Sequence, residues 1–229
     1  MCSSDLGMTE NCGASHSTLP GSRQTGSVGL PYTGVESRID TETGEILMRS
    51  PALMQGYYRE PEQTAAALTA DGWLRTGDKG SIDAGGFLRI TGRVKDIFKT
   101  SKGKYVAPAP IEDLLVLHPD IEACAVTGAT LDQPIGLVML SQDAAARSAS
   151  RDYRETLTAS LQQHLNTVNA RLEPHEKLAC LAVVTTQWTP ENGMVTPTLK
   201  VKRPRIEDAY AARYAEWLRQ GQPVVWAGP

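Results

Sequence analysis

The sequence predicts an α+β chain in two parts: a β-rich segment ending near Gly92, then a small α+β domain of strands covered by helices. Two observations carry this. Before Gly92, short apolar runs are separated by glycine- and aspartate-containing turn signals. After Lys95, short apolar runs alternate with segments whose apolar residues recur every three or four positions.

The first thirty residues are polar, rich in glycine and serine, and show little periodicity. "VESRI" (35–39) and "EILMRS" (45–50) flank "DTETGE", so they read as the strands of a hairpin. "PEQTAAALT" (61–69) starts with a proline where a helix tolerates one and predicts a short helix. The Asp71-Gly72 and Gly85-Gly86 turns follow, with Gly77-Asp78 read as a further turn, before the strand "FLRIT". In the second part, "APIEDLLVLHP" (109–119) places Ile111, Leu114 and Leu115 on one helical face and stops at Pro119. "IEACAVTG", "GLVMLS" and "LACLAVVTT" are expected strands. Residues 152–172 carry Tyr153, Leu157, Leu161, Leu165, Val168 and Leu172 as a helical stripe. A last helix over 203–218 should turn Ile206, Tyr210, Tyr214 and Trp217 inward.

Of the 229 residues 41% are hydrophobic and 21% charged, enough for a core, and the net charge of −3 gives no electrostatic argument for a nucleic-acid partner. Basic residues cluster at 93–104 and 199–205, which suits an anionic small molecule. The four cysteines lack CxxC spacing and read as reduced thiols of a soluble, cytoplasmic protein. There is no apolar run of membrane-spanning length, though peripheral association with a membrane surface stays compatible. The histidines have no partners at catalytic sequence spacing, and no GxSxG setting occurs.

"DGWLRTGDKGSIDAGGFLRITGRVKDIFKTSKGKYV" (71–106) holds the densest chemistry. Aspartate in a turn is ordinary, bonding its own backbone. A carboxylate held there also has two oxygens for two neighbouring sugar hydroxyls, and Arg93, fifteen residues on, offers a planar fork of donors.

This stretch, with "GMTE" at 7–10 before it and "PTLKVKR" at 197–203 after it, resembles the adenylate-forming acyl-CoA synthetases, and "FKTSKGKYVAPAPIE" is most similar to their long-chain fatty acid–CoA ligase branch. The resemblance covers about residues 7–220. It implies that 7–94 is the β-rich C-terminal remnant of the large AMP-binding domain and that 95–229 is a small lid domain on a mobile hinge. It implies a ligase that activates a carboxylic acid with ATP as acyl-AMP and passes the acyl group to CoA, with Mg²⁺ as the ion. By the same resemblance Asp78 and Arg93 bind the ribose of ATP or AMP, Thr9 lies near the phosphate, and Glu10 helps to hold Mg²⁺. Lys95 is the hinge, Lys102 and Gly103 belong to the loop of the thioester step, and Lys200 serves adenylation. The plain alternatives are a solvated acid at Glu10 and solvent-facing basic runs at Lys102–Lys104 and Lys200–Arg203.

The chain departs from the family in three ways. The large domain's Ser/Thr/Gly-rich phosphate loop has no counterpart, and Leu6 stands where the family places an aromatic before "GMTE". Residues 1–6, "MCSSDL", match nothing in the family and are expected to be a cloning or assembly artefact. A truncated, catalytically inactive chain is therefore the expectation, with strands before Gly92 exposing Ile46, Met48 and Leu53. Another adenylating subclass, an aryl-acid ligase or a carrier-protein adenylation domain, and a non-catalytic nucleotide-binding module are the competing readings.

Overall fold

The computed structural model describes residues 6–13 and 15–227; most of the "MCSSDL" stretch lies outside them. The described residues divide into two compact units, one running to Lys95 and one from Asp96 onward.

The first unit is built on an antiparallel sheet. A short pairing of β1 (His16–Ser17) with β2 (Leu30–Pro31) precedes it. The main sheet has the order β3 (Glu36–Ile39), β4 (Glu45–Arg49), β5 (Leu74–Ile82), β6 (Leu88–Arg93), with α1 (Pro61–Ala67) between β4 and β5. The β3–β4 hairpin forms where the DTETGE turn places it: Asp40 Oδ1 accepts the N–H groups of Glu42 and Thr43 and so nucleates the turn.

Its core is small: Leu6, Val28, Ile46, Met48 and Leu88, with Ile39 and Ile82 packed against them. The expectation of exposed strand faces is thereby corrected, since Ile46 and Met48 are 0% and 1% exposed and Leu53 is half-buried. The reason is the non-periodic N-terminal stretch. It folds back over the sheet, with Leu6 bridging His16 and Val28 N–H donating to Leu88 O at 2.9 Å. Trp73 is buried under two guanidinium groups, Arg38 at 4.3 Å and Arg49 at 4.7 Å from its ring.

The second unit opens with a small hairpin of β7 (Phe98–Lys99) and β8 (Tyr105–Val106), followed by α2 (Pro108–Leu115). Its sheet comprises β9 (Ile121–Thr127), β10 (Ile135–Leu140), β11 (Leu181–Val184) and β12 (Val224–Ala227). The order is β12-β11-β10-β9; β9 runs antiparallel to β10, and the other pairs are parallel. The helices α3 (Gln142–Arg147) and α4 (Arg151–Asn169) connect β10 to β11, and α5 (Arg203–Tyr210) and α6 (Tyr214–Arg219) precede β12.

Strand alternation explains the three layers. Val138, Leu181, Val183 and Val224 point into a core with Ile111, Leu115 and the α4 stripe of Leu157, Leu161, Leu165 and Val168. Leu137, Met139, Ala182 and Val184 point the other way, onto Ile206, Tyr210, Tyr214 and Trp217. A sheet covered on both faces needs continuous apolar strands, and β10 is buried at every residue.

Several boundaries differ from the sequence expectation. Helix α2 stops at Leu115, four residues before Pro119, and two tight turns ending at Leu117 and His118 carry the chain to the proline. The strand expected over 178–186 is only Leu181–Val184, because the Asn169 amide takes both backbone groups of Leu178, at 2.8 and 3.0 Å. The single helix expected over 203–218 is α5 and α6 joined by a three-residue 3-10 turn; its inward stripe of Ile206, Tyr210, Tyr214 and Trp217 is kept.

Candidate functional site

Gly77-Asp78 lies within strand β5 instead of at a hairpin tip. Glu45 pairs with Lys79 and Leu47 with Arg75, so Thr76, Gly77 and Asp78 together oppose Ile46 alone. This is a bulge of three residues against one, and Gly77 adopts φ +73°, a left-handed conformation that glycine takes without strain. Thr76 Oγ1 donates to Ile46 O at 2.7 Å and accepts Asp78 N–H at 3.1 Å. The Gly77 carbonyl accepts Val94 N–H at 2.8 Å, so the end of β6 is tied to the same bulge.

The register of β5 with β6 sets Asp78 opposite Arg93. Arg93 Nε lies 3.0 Å from Asp78 Oδ1; the carboxylate is 9% exposed, while the guanidinium side chain is 63% exposed. Chemically this is a fixed acceptor beside an exposed planar donor, a pair that suits a polyol edge with one face toward solvent.

The other sequence-predicted residues of the first unit stand on separate turns. Thr9 and Glu10 begin a 3-10 turn, Thr9–Asn11, whose side-chain anchor is Asn11 Oδ1 accepting Met8 N–H at 3.1 Å. Glu10 O accepts Met54 N–H at 2.8 Å and Glu10 Oε1 accepts the Tyr57 hydroxyl at 2.8 Å, which pushes the Tyr57 pKa up. Thr9 is exposed. Lys95 is exposed in the turn after β6 and is the last residue of the first unit.

In the second unit Lys102 and Gly103 form the tip of the β7–β8 hairpin, with Gly103 at φ +78°. Lys102 Nζ is 3.5 Å from Asp132 Oδ2, and Asp132 also receives Ser101 Oγ, the leading cause that holds its carboxyl below the usual range. Lys200 is exposed in a tight loop closed by a Val195–Val201 bridge. Thr196 N–H donates to Lys200 O at 2.8 Å, Thr196 Oγ1 accepts Lys200 N–H at 3.0 Å, and Leu199 sits at φ +59°. Leu199 is a branched residue in a region that costs about 1–2 kcal/mol.

Two features escape sequence reasoning. Glu45, read only as a strand residue, is 6% exposed and bonds the bulge; nothing in its local pattern marks it. Arg203, read as part of a basic run, is internal: its Nη1 donates to Glu112 Oε1 at 2.7 Å and Val126 O at 3.2 Å, and its Nε lies 3.2 Å from Asp96. The histidines do gain partners in space. His118 Nε2 is 3.0 Å from Ser160 Oγ, but Asp120 N–H donates to Nδ1 at 3.2 Å and the Asp120 carboxylate is 3.9 Å away. That leaves the proton on Nε2, facing Ser160, so the imidazole is a donor there and no base. Burial pushes the Cys180 thiol up to about 11 and Cys124 higher still, so neither is poised to react.

Comparison with known proteins agrees with the fold. Residues 95–218 match the family model of the AMP-binding enzyme C-terminal domain. The long-chain-fatty-acid–CoA ligase FadD15 of Mycobacterium bovis is 32% identical over 90% of this chain and 36% of its own length. Human long-chain-fatty-acid–CoA ligase 6 is 30% identical over 92% of the chain and 33% of its own length. The structure of O-succinylbenzoate coenzyme A synthetase from Bacillus subtilis, in complex with AMP, superposes with a TM-score of 0.68 at 25% identity, over 88% of this chain and 40% of that one. The chain thus spans about a third of the length of the curated relatives it matches. No described helix is long and apolar enough to cross a membrane. The chain belongs to the AMP-binding enzymes of the adenylate-forming superfamily, whose C-terminal domain it carries over residues 95–218.

Proposed function

We propose that this chain supplies the ribose clamp and the lid of an ATP-dependent, AMP-forming acid–CoA ligase acting on a fatty acid. The observation that carries the reading is the buried Asp78 carboxylate, set on a bulge 3.0 Å from an exposed Arg93, in a chain similar over most of its length to fatty acid–CoA ligases. In the whole enzyme a carboxylate attacks the α-phosphate of ATP to give acyl-AMP and pyrophosphate, and the thiolate of CoA then displaces AMP. Asp78 accepts from the two ribose hydroxyls and Arg93 adds a donor to the same sugar. Lys200 meets the negative charge that develops during adenylation, a contribution that depends on a donor aimed beforehand. Lys95 is the pivot between the half-reactions, and Lys102 with Gly103 forms the loop that serves thioester formation.

Thr9 sits near the phosphates in this reading, and Glu10 is the ligand for Mg²⁺. No cluster of three His, Cys, Asp or Glu forms among the described residues, so the ion would be held by Glu10 together with nucleotide oxygens and water. That donor set suits an ion that keeps several waters, and when bound it neutralises phosphate charge. The reading places the enzyme in the cytoplasm, in keeping with reduced, buried Cys124 and Cys180.

Titration of the folded chain with AMP and with a non-hydrolysable acyl-sulfamoyl adenosine tests the proposal. Saturable binding of both, with amide shifts at Asp78 and Arg93, is expected. A folded chain that binds neither overturns it.

A further inference from the structure

The bulge that carries Asp78 lacks an ordinary strand-to-strand anchor. Three residues, Thr76 to Asp78, face the single residue Ile46, so the backbone ladder cannot pair all of their polar groups. Glu45, the residue before Ile46, fills the gap with its side chain. Its Oε1 accepts Gly77 N–H at 2.9 Å, and its Oε2 lies 3.2 Å from Arg75 Nη1. The carboxylate is 8% exposed, while Arg75 is 41% exposed. A nearly buried carboxylate is costly unless its oxygens are bonded, and here both are. It spans the bulge at two points, before and after Thr76, while Thr76 Oγ1 takes Ile46 O and Asp78 N–H. Every residue leading into Asp78 is therefore bonded to Glu45 or Ile46.

We propose that Glu45 is a positioning residue for the ribose clamp: it holds the Gly77 backbone so that the Asp78 carboxylate is presented beside Arg93 with its orientation set before the nucleotide arrives. This rests on the reading of Asp78 as the ribose acceptor. A clamp that must meet two hydroxyls at once gains from a fixed carboxylate, because a loosened one loses geometry at both contacts. The left-handed Gly77 makes the requirement sharper, since glycine alone gives the backbone no stiffness at that point.

The test measures AMP affinity by NMR titration of the chain, at a temperature where each variant is fully folded, beside amide hydrogen exchange. Glu45→Ala should weaken AMP binding by about tenfold and speed exchange at Gly77 and Asp78, leaving the β3 amides as they were. Glu45→Gln keeps an acceptor for Gly77 N–H and should return affinity to within about threefold of wild type. If Glu45→Ala does not fold, Glu45→Asp, one methylene shorter with the charge retained, must show the same loss; wild-type affinity in it overturns the inference. Asp78→Ala separates the two levels. If it abolishes AMP binding while folded Glu45→Ala binds as wild type, the positioning role is wrong and the clamp stands. If Asp78→Ala binds AMP unchanged, the clamp itself is wrong, and the positioning role falls with it.

Discussion

The two units solve opposite problems. The unit from Asp96 onward buries a sheet on both faces, and its central strand β10 has no exposed residue. The unit ending at Lys95 has a cluster of five buried apolar residues, with Leu47, Trp73 and Leu74 buried outside it, and also relies on polar bonds to shape its strands. The side chains proposed as functional follow suit. In the first unit Asp78 is nearly buried, and the backbone around it is bonded through Glu45, Ile46 and Val94. In the second, Lys102 and Lys200 stand exposed at turn tips whose backbone is tied, with the Lys102 ammonium 3.5 Å from Asp132. A carboxylate that must fit two hydroxyls needs a fixed orientation; a lysine that neutralises charge needs reach. The difference in burial is in keeping with the different roles proposed for these residues.

The largest effect that sharpens this comparison concerns two arginines of unlike setting. Arg203 is enclosed by Glu112, Asp96 and the Val126 carbonyl, with its side chain 23% and that of Glu112 16% exposed. Arg203→Ala should destabilise the second unit by about 3 kcal/mol, because the half-buried Glu112 then keeps only the Val126 N–H. Arg93→Ala removes an exposed guanidinium but leaves the nearly buried Asp78 carboxylate without that partner, and should cost less, about 1–2 kcal/mol. Chemical denaturation of both variants checks this, and equal costs would erase the distinction drawn between the units.

Next in size is a pH effect in the first unit. His16 is buried beside Ser15 and Ser37, and burial pulls its pKa from 6.5 to about 4. The folded state therefore prefers the neutral ring, while the unfolded chain takes up a proton near 6.5. The stabilisation is complete above pH 6.5 and is lost as pH falls toward 4, by roughly 3 kcal/mol at most. His118 in the second unit is shifted the same way by burial, so the two histidines share the sign. His16→Asn should remove the slope from amide exchange in the first unit alone; an unchanged slope would assign it to other groups.

The smallest effect is at Leu199, an exposed residue at φ +59° beside Lys200. Leu199→Gly should raise stability by up to about 1 kcal/mol, read as a small rise in melting temperature. A fall would mean that the loop draws its shape from the leucine side chain.

Much of this was legible in the sequence, for reasons that also explain the failures. The α4 stripe and the strands β9 and β10 could be read because burial imposes periodicity, and Asp78 and Arg93 were singled out together by turn chemistry, spacing and the family resemblance, although their direct pairing was not. The bulge was not. Gly77-Asp78 looks like a hairpin turn because a left-handed glycine serves both, and only the register with β4 distinguishes them. Strand β12 was missed because "VVWA" is four residues long, its neighbours fixed by partners more than forty positions away. Arg203 was read within a solvent-facing basic run and Glu45 only as a strand residue, since their burial depends on partners 30 to 91 residues distant. Ile46 and Met48 were expected to be bare for want of the large domain, and the stretch that covers them instead has no periodic signal of its own.

The most direct test of the account is a comparison of AMP with its 2′,3′-dideoxy analogue on wild type and Asp78→Ala, with affinities taken from NMR titration. If Asp78 reads the ribose hydroxyls, wild type should prefer AMP by about tenfold or more, the scale of hydrogen bonds to a charged acceptor. Asp78→Ala should bring AMP down to the affinity of the analogue and leave the analogue unchanged. A loss of equal size for both ligands, or wild-type protein that binds both alike, would contradict the ribose clamp.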